Sequence, residues 1–181
     1  HPDTFLEKYE EGIGEIGCML TEEKLNKCFE VITTDEPYQL TDNLTFLGEV
    51  PRFNDFEAKE PLFKVLRNGK YEDDYVIEDS AMVYTSNKGL SIITGCSHSG
   101  ICNIVEYSQK LFKTTNIESI IGGFHLINTP KEKMAKIVNY SKAQDIKTLY
   151  PCHCTDFSAR VELDKKLNVK ETGVGFKYTI L

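Results

Sequence analysis

The chain has 181 residues, 40% apolar and 27% charged, an ordinary balance for a globular protein long enough to bury well over half of its unfolded surface. Its 21 basic and 28 acidic side chains give a formal net charge of −7. With no basic run and no interleaving of arginine with aromatic residues, that charge argues against a nucleic-acid partner, and no apolar stretch approaches the length of a membrane span. Six scattered cysteines, two of them flanking a histidine in "PCHCT", lack the density of a secreted disulfide scaffold and point to a reducing cytoplasm. The first residue is His1 and not Met, from which residues upstream are expected.

In chain order, Thr21 predicts the cap of a short helix running to Phe29. The stretch "FEVITTDEPYQLTDNLTFLGEVPR" is β-rich, with turn signals at Asp35-Glu36-Pro37 and Asp42-Asn43. Residues 53–80 are polar and broken by Pro61 and Asn68-Gly69, the pattern of a long loop or insertion. A hairpin follows, "AMVYT" and "LSIIT" joined by "SNKG". The pattern then alternates. A helix is predicted from Ile101, with Ile101, Ile104, Val105, Ser108, Leu111 and Phe112 on one face. "IESIIGG" reads as a buried strand, and Thr129-Pro130-Lys131-Glu132 as a capping box opening a second helix. "KTLYP" is a further strand, "TDFSARVELDKKL" a third helix and "VGFKYTIL" a closing strand. Helices that each cover a sheet face predict one layered α/β or α+β domain over residues 1–181, with no internal repeat or linker.

Three of the four histidines occupy one setting. His98 follows the strand "LSIITGC", His125 follows "ESIIGGF" and His153 follows "KTLYPC". Ends of successive strands in such a sheet converge on one edge, where layered folds bind ligands. Imidazole is the commonest protein metal ligand and neighbouring thiolates suit zinc, so the pattern predicts a metal site; a lone histidine would be read as a packed or loop residue. Gly95, Gly100, Gly122 and Gly123 would let backbone approach that site. Ser99 is read as the cap of the helix at Ile101, with a phosphate at the same helix N-terminus as the alternative. Cys18, Cys28 and Cys102 are read as small packing residues, and Phe53 and Phe56 as either a substrate mouth or a cover for the sheet edge.

"GCSHSGICNIVEY", "IIGGFHL" and "YPCHCT", preceded by "FLGEVPRF" and "EDSAMVYTSNKGL", resemble the metallo-β-lactamase-fold metal-dependent hydrolases. Within these they resemble the subgroup labelled dihydropterin ribofuranosyl-aminobenzene-phosphate synthase-like. The likeness runs from about Thr45 to the C-terminus, and "HPDTFLEKY" resembles the stretch that follows the family's first metal motif. It implies an αββα sandwich, of which this chain would be the C-terminal two-thirds, with one or two metal ions at the edge between the sheets. Zinc is the usual ion; manganese and iron are alternatives. Carried over residue by residue, His98 and His153 are metal ligands, and Cys96, standing where the superfamily has a bridging Asp, is a third. His98 and His125 are the catalytic or substrate-facing candidates. Two features depart from the family: no His-x-His-x-Asp-His motif occurs in this stretch, and Asp156 stands where Gly is expected.

The resemblance implies a metal-dependent hydrolase acting on an ester or phosphoester through metal-activated water, with a small, phosphorylated substrate as one class. Two alternatives stay open: a ribofuranosyl-phosphate transferase of pterin biosynthesis, and a non-catalytic chain that needs a partner segment. A closed structural zinc site built on Cys152, His153 and Cys154 and completed by Cys96 or Cys102, which would make the chain a binding module, is disfavoured, because closed sites usually use C-x-x-C knuckles and none occurs here. Lacking the first metal motif, the chain alone is expected to hold metal more weakly than a complete site, to turn over little and to self-associate or pair with a complementary chain.

Overall fold

The computed structural model describes residues 1–180. After a 3₁₀ turn at Pro2–Phe5, the chain forms β1 (Lys8–Glu10), β2 (Gly14–Glu15), α1 (Glu22–Asn26) and the short strands β3 (Tyr38–Gln39) and β4 (Leu44–Phe46). Two hairpins follow: β5 (Phe63–Arg67) with β6 (Lys70–Asp74), and β7 (Ala81–Ser86) with β8 (Gly89–Thr94). The remainder alternates as α2 (Ile101–Phe112), β9 (Ile117–Gly122), α3 (Lys131–Ala143), β10 (Thr148–Pro151) and α4 (Phe157–Asp164). The strands form two sheets. One is antiparallel in the order β2-β1-β5-β6; the other is β10-β9-β8-β7-β4-β3, in which β8, β9 and β10 are parallel. The architecture is the mixed α+β one that the resemblance implies.

Register explains which face of the larger sheet is buried. Val83, Ile92, Ile120 and Leu149 pair in one row across β7, β8, β9 and β10, and none is more than 2% exposed. Successive residues of a strand point to opposite faces, so the next row, Met82, Ile93, Ile121 and Tyr150, faces the other way and is half-buried or exposed. Helices cover the first row. Ile101, Ile104 and Val105 of α2, Met134 and Ile137 of α3, and Ala159 and Leu163 of α4 join it in one apolar cluster. Each large aliphatic side chain buried there contributes roughly 1.5–3 kcal/mol. The expected burial of "IESIIGG" therefore holds for Ile120, whereas Ile121 is half-buried.

Several sequence expectations need correction. Residues 53–80 are not one long loop: Asn68 and Gly69, at φ +50° and +76°, form the two-residue turn of the β5–β6 hairpin. Two positive φ values in succession fit a type I′ hairpin turn, which favours Asn-Gly. The flanking strands escape a hydrophobic-pattern reading because Val65 and Asp74 are their only buried residues. The β-rich stretch after Phe29 yields just the two- and three-residue strands β3 and β4. Residues 174–180 form no strand. The outer edge of β10 is already taken, since the Leu149 N–H donates to the Asn168 carbonyl and the Lys170 N–H to the Leu149 carbonyl, both at 2.9 Å. The tail packs its rings instead, with Phe176 and Tyr178 at 5.3 and 5.1 Å from Tyr150.

Caps differ as well. Thr21 caps α1 as expected, its hydroxyl accepting from the Lys24 N–H at 3.2 Å. Thr129 does not cap α3; Pro130 occupies the cap position without a side-chain bond. Cys102 is buried as expected, but Cys18 and Cys28 are exposed.

Candidate metal centre

The three histidine-bearing turns lie at the C-terminal ends of β8, β9 and β10, as their order in the sequence predicts. Yet β9 lies between β8 and β10, so the outer two turns start roughly 9–10 Å apart, two strand spacings. They meet because β9 ends in Gly122-Gly123. A Cβ on Gly123 would fall 2.5 Å from the Gly95 carbonyl oxygen, 2.7 Å from that of His153 and 2.8 Å from Cys154 Sγ. The glycine is a saddle over which the first and third turns touch. Its own N–H donates to the Gly95 carbonyl at 2.8 Å, and its carbonyl accepts from Thr94 Oγ1 at 3.0 Å and Ser97 Oγ at 2.6 Å.

Over this saddle Cys96 Sγ and His153 Nδ1 lie 3.1 Å apart. Cys154 joins them, so that the donor atoms of Cys96, His153 and Cys154 all lie within 4.8 Å of one another. Cys154 has φ +44°, and its thiol donates to the Cys96 carbonyl at 3.3 Å. Two thiols and an imidazole at such separations fit a borderline-soft ion such as zinc. Burial, followed by the neighbouring Cys154, pushes the Cys96 thiol up to about 12, and a bound cation would displace that proton.

His98 and His125 form a second grouping. Their rings are 4.5 Å apart and 70° from coplanar, and Phe63 of β5 stands 6.2 Å from His98. Burial lowers the pKa of both; the charges of Asp79 and Glu78 oppose the shift at His98, while His98 and Lys133 add to it at His125. Both imidazoles are thereby kept neutral, the form that binds metal or accepts a proton. His125 has φ +50°, and its Nδ1 is buried without a hydrogen-bond partner among the described residues. The pair opens into a cleft of about 250 Å³ whose other walls include Phe56, Leu62, Tyr75 and Lys133. Phe56 thus lines the mouth, whereas Phe53 lies outside it, under the ammonium of Lys110 at 3.6 Å. A larger hollow of about 540 Å³ between α3 and α4 carries no histidine or cysteine.

The turn bearing His98 is clamped on both sides. Ser97, at φ +63°, bonds to Gly123 as above, and Ser99 donates its N–H at 2.9 Å and its hydroxyl at 2.6 Å to Asp79 Oδ2. A non-glycine residue in the left-handed region costs about 1–2 kcal/mol and persists where surrounding contacts over-determine it. Such residues stand here in all three turns: Ser97, His125 and Cys154.

Two expectations about anions change. Ser99 does not cap α2; Gly100 does, without a side-chain bond. The N–H groups of Cys102 and Asn103 instead donate to the buried carboxylate of Glu57 at 3.0 and 3.3 Å. Gly100, at φ +95°, leaves the room, since a Cβ there would fall 2.6 Å from that of Glu57. The chain's own carboxylate therefore fills the place considered for a phosphate. Burial raises the Glu57 pKa against the pull of Asn54 and those two N–H groups. Asp156, the departure from Gly, is the cap of α4: its Oδ1 accepts from the Ala159 N–H at 2.8 Å, and its Oδ2 from the Asn128 N–H at 2.7 Å.

Of the expected ligands, Cys96 and His153 come together, while His98 pairs with His125. Cys154 is the addition. Its signal was the "CHC" triplet, weighed together with Cys96 or Cys102 for a closed structural site that also used Cys152, whose thiol stands outside the group.

No protein-family model matches the chain. An uncharacterized protein of Methanocaldococcus jannaschii is 38% identical over 176 residues, covering 97% of this chain and 64% of that protein. The 7,8-dihydropterin-6-methyl-4-(beta-D-ribofuranosyl)-aminobenzene-5'-phosphate synthase of the same organism is 33% identical over 133 residues, 71% of this chain and 45% of the synthase. The chain thus spans less than two thirds of the length of either relative. The crystal structure of Tm1679, a metal-dependent hydrolase of the beta-lactamase superfamily, superimposes with a TM-score of 0.80 at 26% identity, covering 97% of this chain and 67% of that one. Among the described residues no helix is long and apolar enough to cross a membrane. With these relatives and this topology, the chain has the fold of the metal-dependent hydrolases of the beta-lactamase superfamily.

Proposed function

We propose that the chain carries the metal edge and substrate cleft of a hydrolase acting on a small ester or phosphoester, with His153 and Cys96 as metal ligands and the His98–His125 pair facing substrate in the cleft. The observation that carries this reading is the 3.1 Å approach of Cys96 Sγ to His153 Nδ1 beside the His98–His125 pair. A bound zinc, or manganese or iron in its place, would supply Lewis acidity and lower the pKa of a water to roughly 7. The chain's own residues do the rest. Asp79 and Gly123 hold the turn that presents His98. His125 keeps a neutral ring at the cleft, suited to taking up or returning a proton. Phe56, Leu62 and Tyr75 give the cleft apolar walls, and Lys133 offers a cation to an anionic substrate.

A transferase reading has one observation in its favour, the 33% identity to a relative named as a synthase of a phosphorylated pterin conjugate. Both readings share the metal edge and the cleft.

Protein purified without chelator should contain zinc or a similar ion by elemental analysis. It should hydrolyse a generic phosphodiester or carboxylic ester slowly, with turnover removed by chelator and restored by zinc or manganese. His153→Ala should lose the ion and the turnover while keeping the fold, because His153 is exposed at the edge and not part of the core. Metal content and turnover unchanged in His153→Ala would refute the proposal.

A further inference from the structure

We infer that Cys154 is a third protein donor beside Cys96 and His153, and that this thiolate-rich centre takes a thiophilic divalent cation of the zinc and cadmium class in preference to magnesium or manganese. The inference rests on the metal-edge reading above and adds to it the donor set and its selectivity.

Distances carry the first part. In a tetrahedral centre with Zn–S near 2.3 Å and Zn–N near 2.0–2.1 Å, neighbouring sulfurs lie roughly 3.8 Å apart and sulfur and nitrogen roughly 3.5 Å apart. The three donors here are mutually within 4.8 Å, with Cys96 Sγ to His153 Nδ1 at 3.1 Å. Small side-chain rotations bring such atoms onto one ion. Backbone carries the second part. Cys154 adopts φ +44°, unfavourable for a side chain of its kind, and its sulfur occupies the space that Gly123 leaves by having no Cβ. Its donation to the Cys96 carbonyl at 3.3 Å is a weak bond that a cation can replace. Chemistry carries the third part. Two thiolates select soft and borderline ions, whereas magnesium and manganese favour oxygen ligands. Three donors also leave a fourth position open, the arrangement of a reactive centre and not a closed structural one.

The test is titration of the full chain with cobalt(II), reading the thiolate-to-cobalt charge-transfer absorption in the near ultraviolet. Wild type should develop the band. Cys96→Ser and Cys154→Ser should each weaken it, while Cys152→Ser and Cys102→Ser, whose sulfurs lie outside the group, should keep it. In competition experiments Cys154→Ser should bind cadmium at least about tenfold more weakly, since even loss of a residue supporting a ligand costs 10–100-fold. Manganese binding should be unchanged. A measurement on the unaltered chain guards against a misfolded variant: cadmium should protect Cys96 and Cys154 from alkylation, read by mass spectrometry, and leave exposed Cys18 and Cys28 reactive. Cobalt bound with an undiminished band in Cys154→Ser, or Cys154 alkylated equally with and without cadmium, would overturn the role of Cys154 and leave the metal edge standing. Absence of any cobalt binding would overturn both.

Discussion

The two sheets are held together by different physics. The six-stranded sheet and its helices own the apolar cluster, in which residues such as Ile92, Ile104 and Ile120 are wholly buried. The four-stranded sheet contributes no member to that cluster. At its centre is Lys8, whose buried ammonium contacts Asp74 and, at 2.6 Å, Glu78 Oε1. Around it lie further ion pairs, Arg67 with Asp3 and with Glu72, and Lys64 with Asp73 at 2.5 Å. Apolar burial is non-directional and tolerates small shifts, whereas a buried charge is stable only while its partner stays in place. The proposed metal edge is anchored on the first kind of structure, and one wall of its cleft comes from Leu62 and Tyr75, which flank β5 and β6 of the second.

Placing a charge in the apolar half should have the largest effect. Ile120→Asp puts an unpaired carboxylate in the middle of the buried row and should cost more than about 4 kcal/mol, leaving no folded protein by circular dichroism. A folded Ile120→Asp chain would refute the assignment of the core. Lys8→Met comes next. It strands Asp74 and Glu78 without their cation, at a cost of about 3–5 kcal/mol. Hydrogen exchange should show β1, β5 and β6 losing protection while β8 and β9 keep theirs. Equal loss in both sheets would mean that they unfold as one unit, and the contrast drawn above would fail.

Gly123→Ala should be milder and confined to the site. The added methyl group meets two carbonyl oxygens and a sulfur, so the turns must separate, at about 1–3 kcal/mol. Metal content should fall well before the melting temperature does; full metal occupancy in a stable Gly123→Ala chain would remove the saddle from the account.

The smallest effect should appear at the α4 cap. Hydrogen bonds from the Ser158 hydroxyl and the Ala159 and Asn128 N–H groups hold the Asp156 carboxyl at about 2, below its ordinary 3.8. The folded state thus favours the charged form. Its contribution is fully present above pH 4–5 and is lost as pH falls through 3.8 toward 2. Asp156→Asn should melt below wild type at neutral pH, with the difference shrinking as pH falls through 3.8 toward 2. A difference undiminished at pH 2 would mean that the carboxylate's charge is not what stabilises the cap.

Much of this was legible in the residues. The β7–β8 hairpin, the α2 stripe of Ile101, Ile104 and Val105, and the strands β9 and β10 follow from hydrophobic period and turn chemistry, which are local properties. Strand ends bearing His98, His125 and His153 had to converge once β8, β9 and β10 were parallel neighbours. The β5–β6 hairpin escaped notice because it is stabilised by charge pairs and an Asn-Gly turn, with Val65 its lone buried apolar side chain.

Tertiary structure alone decided the rest. Whether Cys96 would meet His153 or His98 depends on which turn crosses the end of β9, and that was settled by the missing side chain of Gly123. Whether the N-terminus of α2 would hold a foreign anion depended on Glu57, more than 40 residues upstream, reaching into it. Chain periodicity dictates which way a side chain points relative to its own strand or helix. It carries no information on what another segment brings within bonding distance, and a metal centre or an anion site is made of such distances.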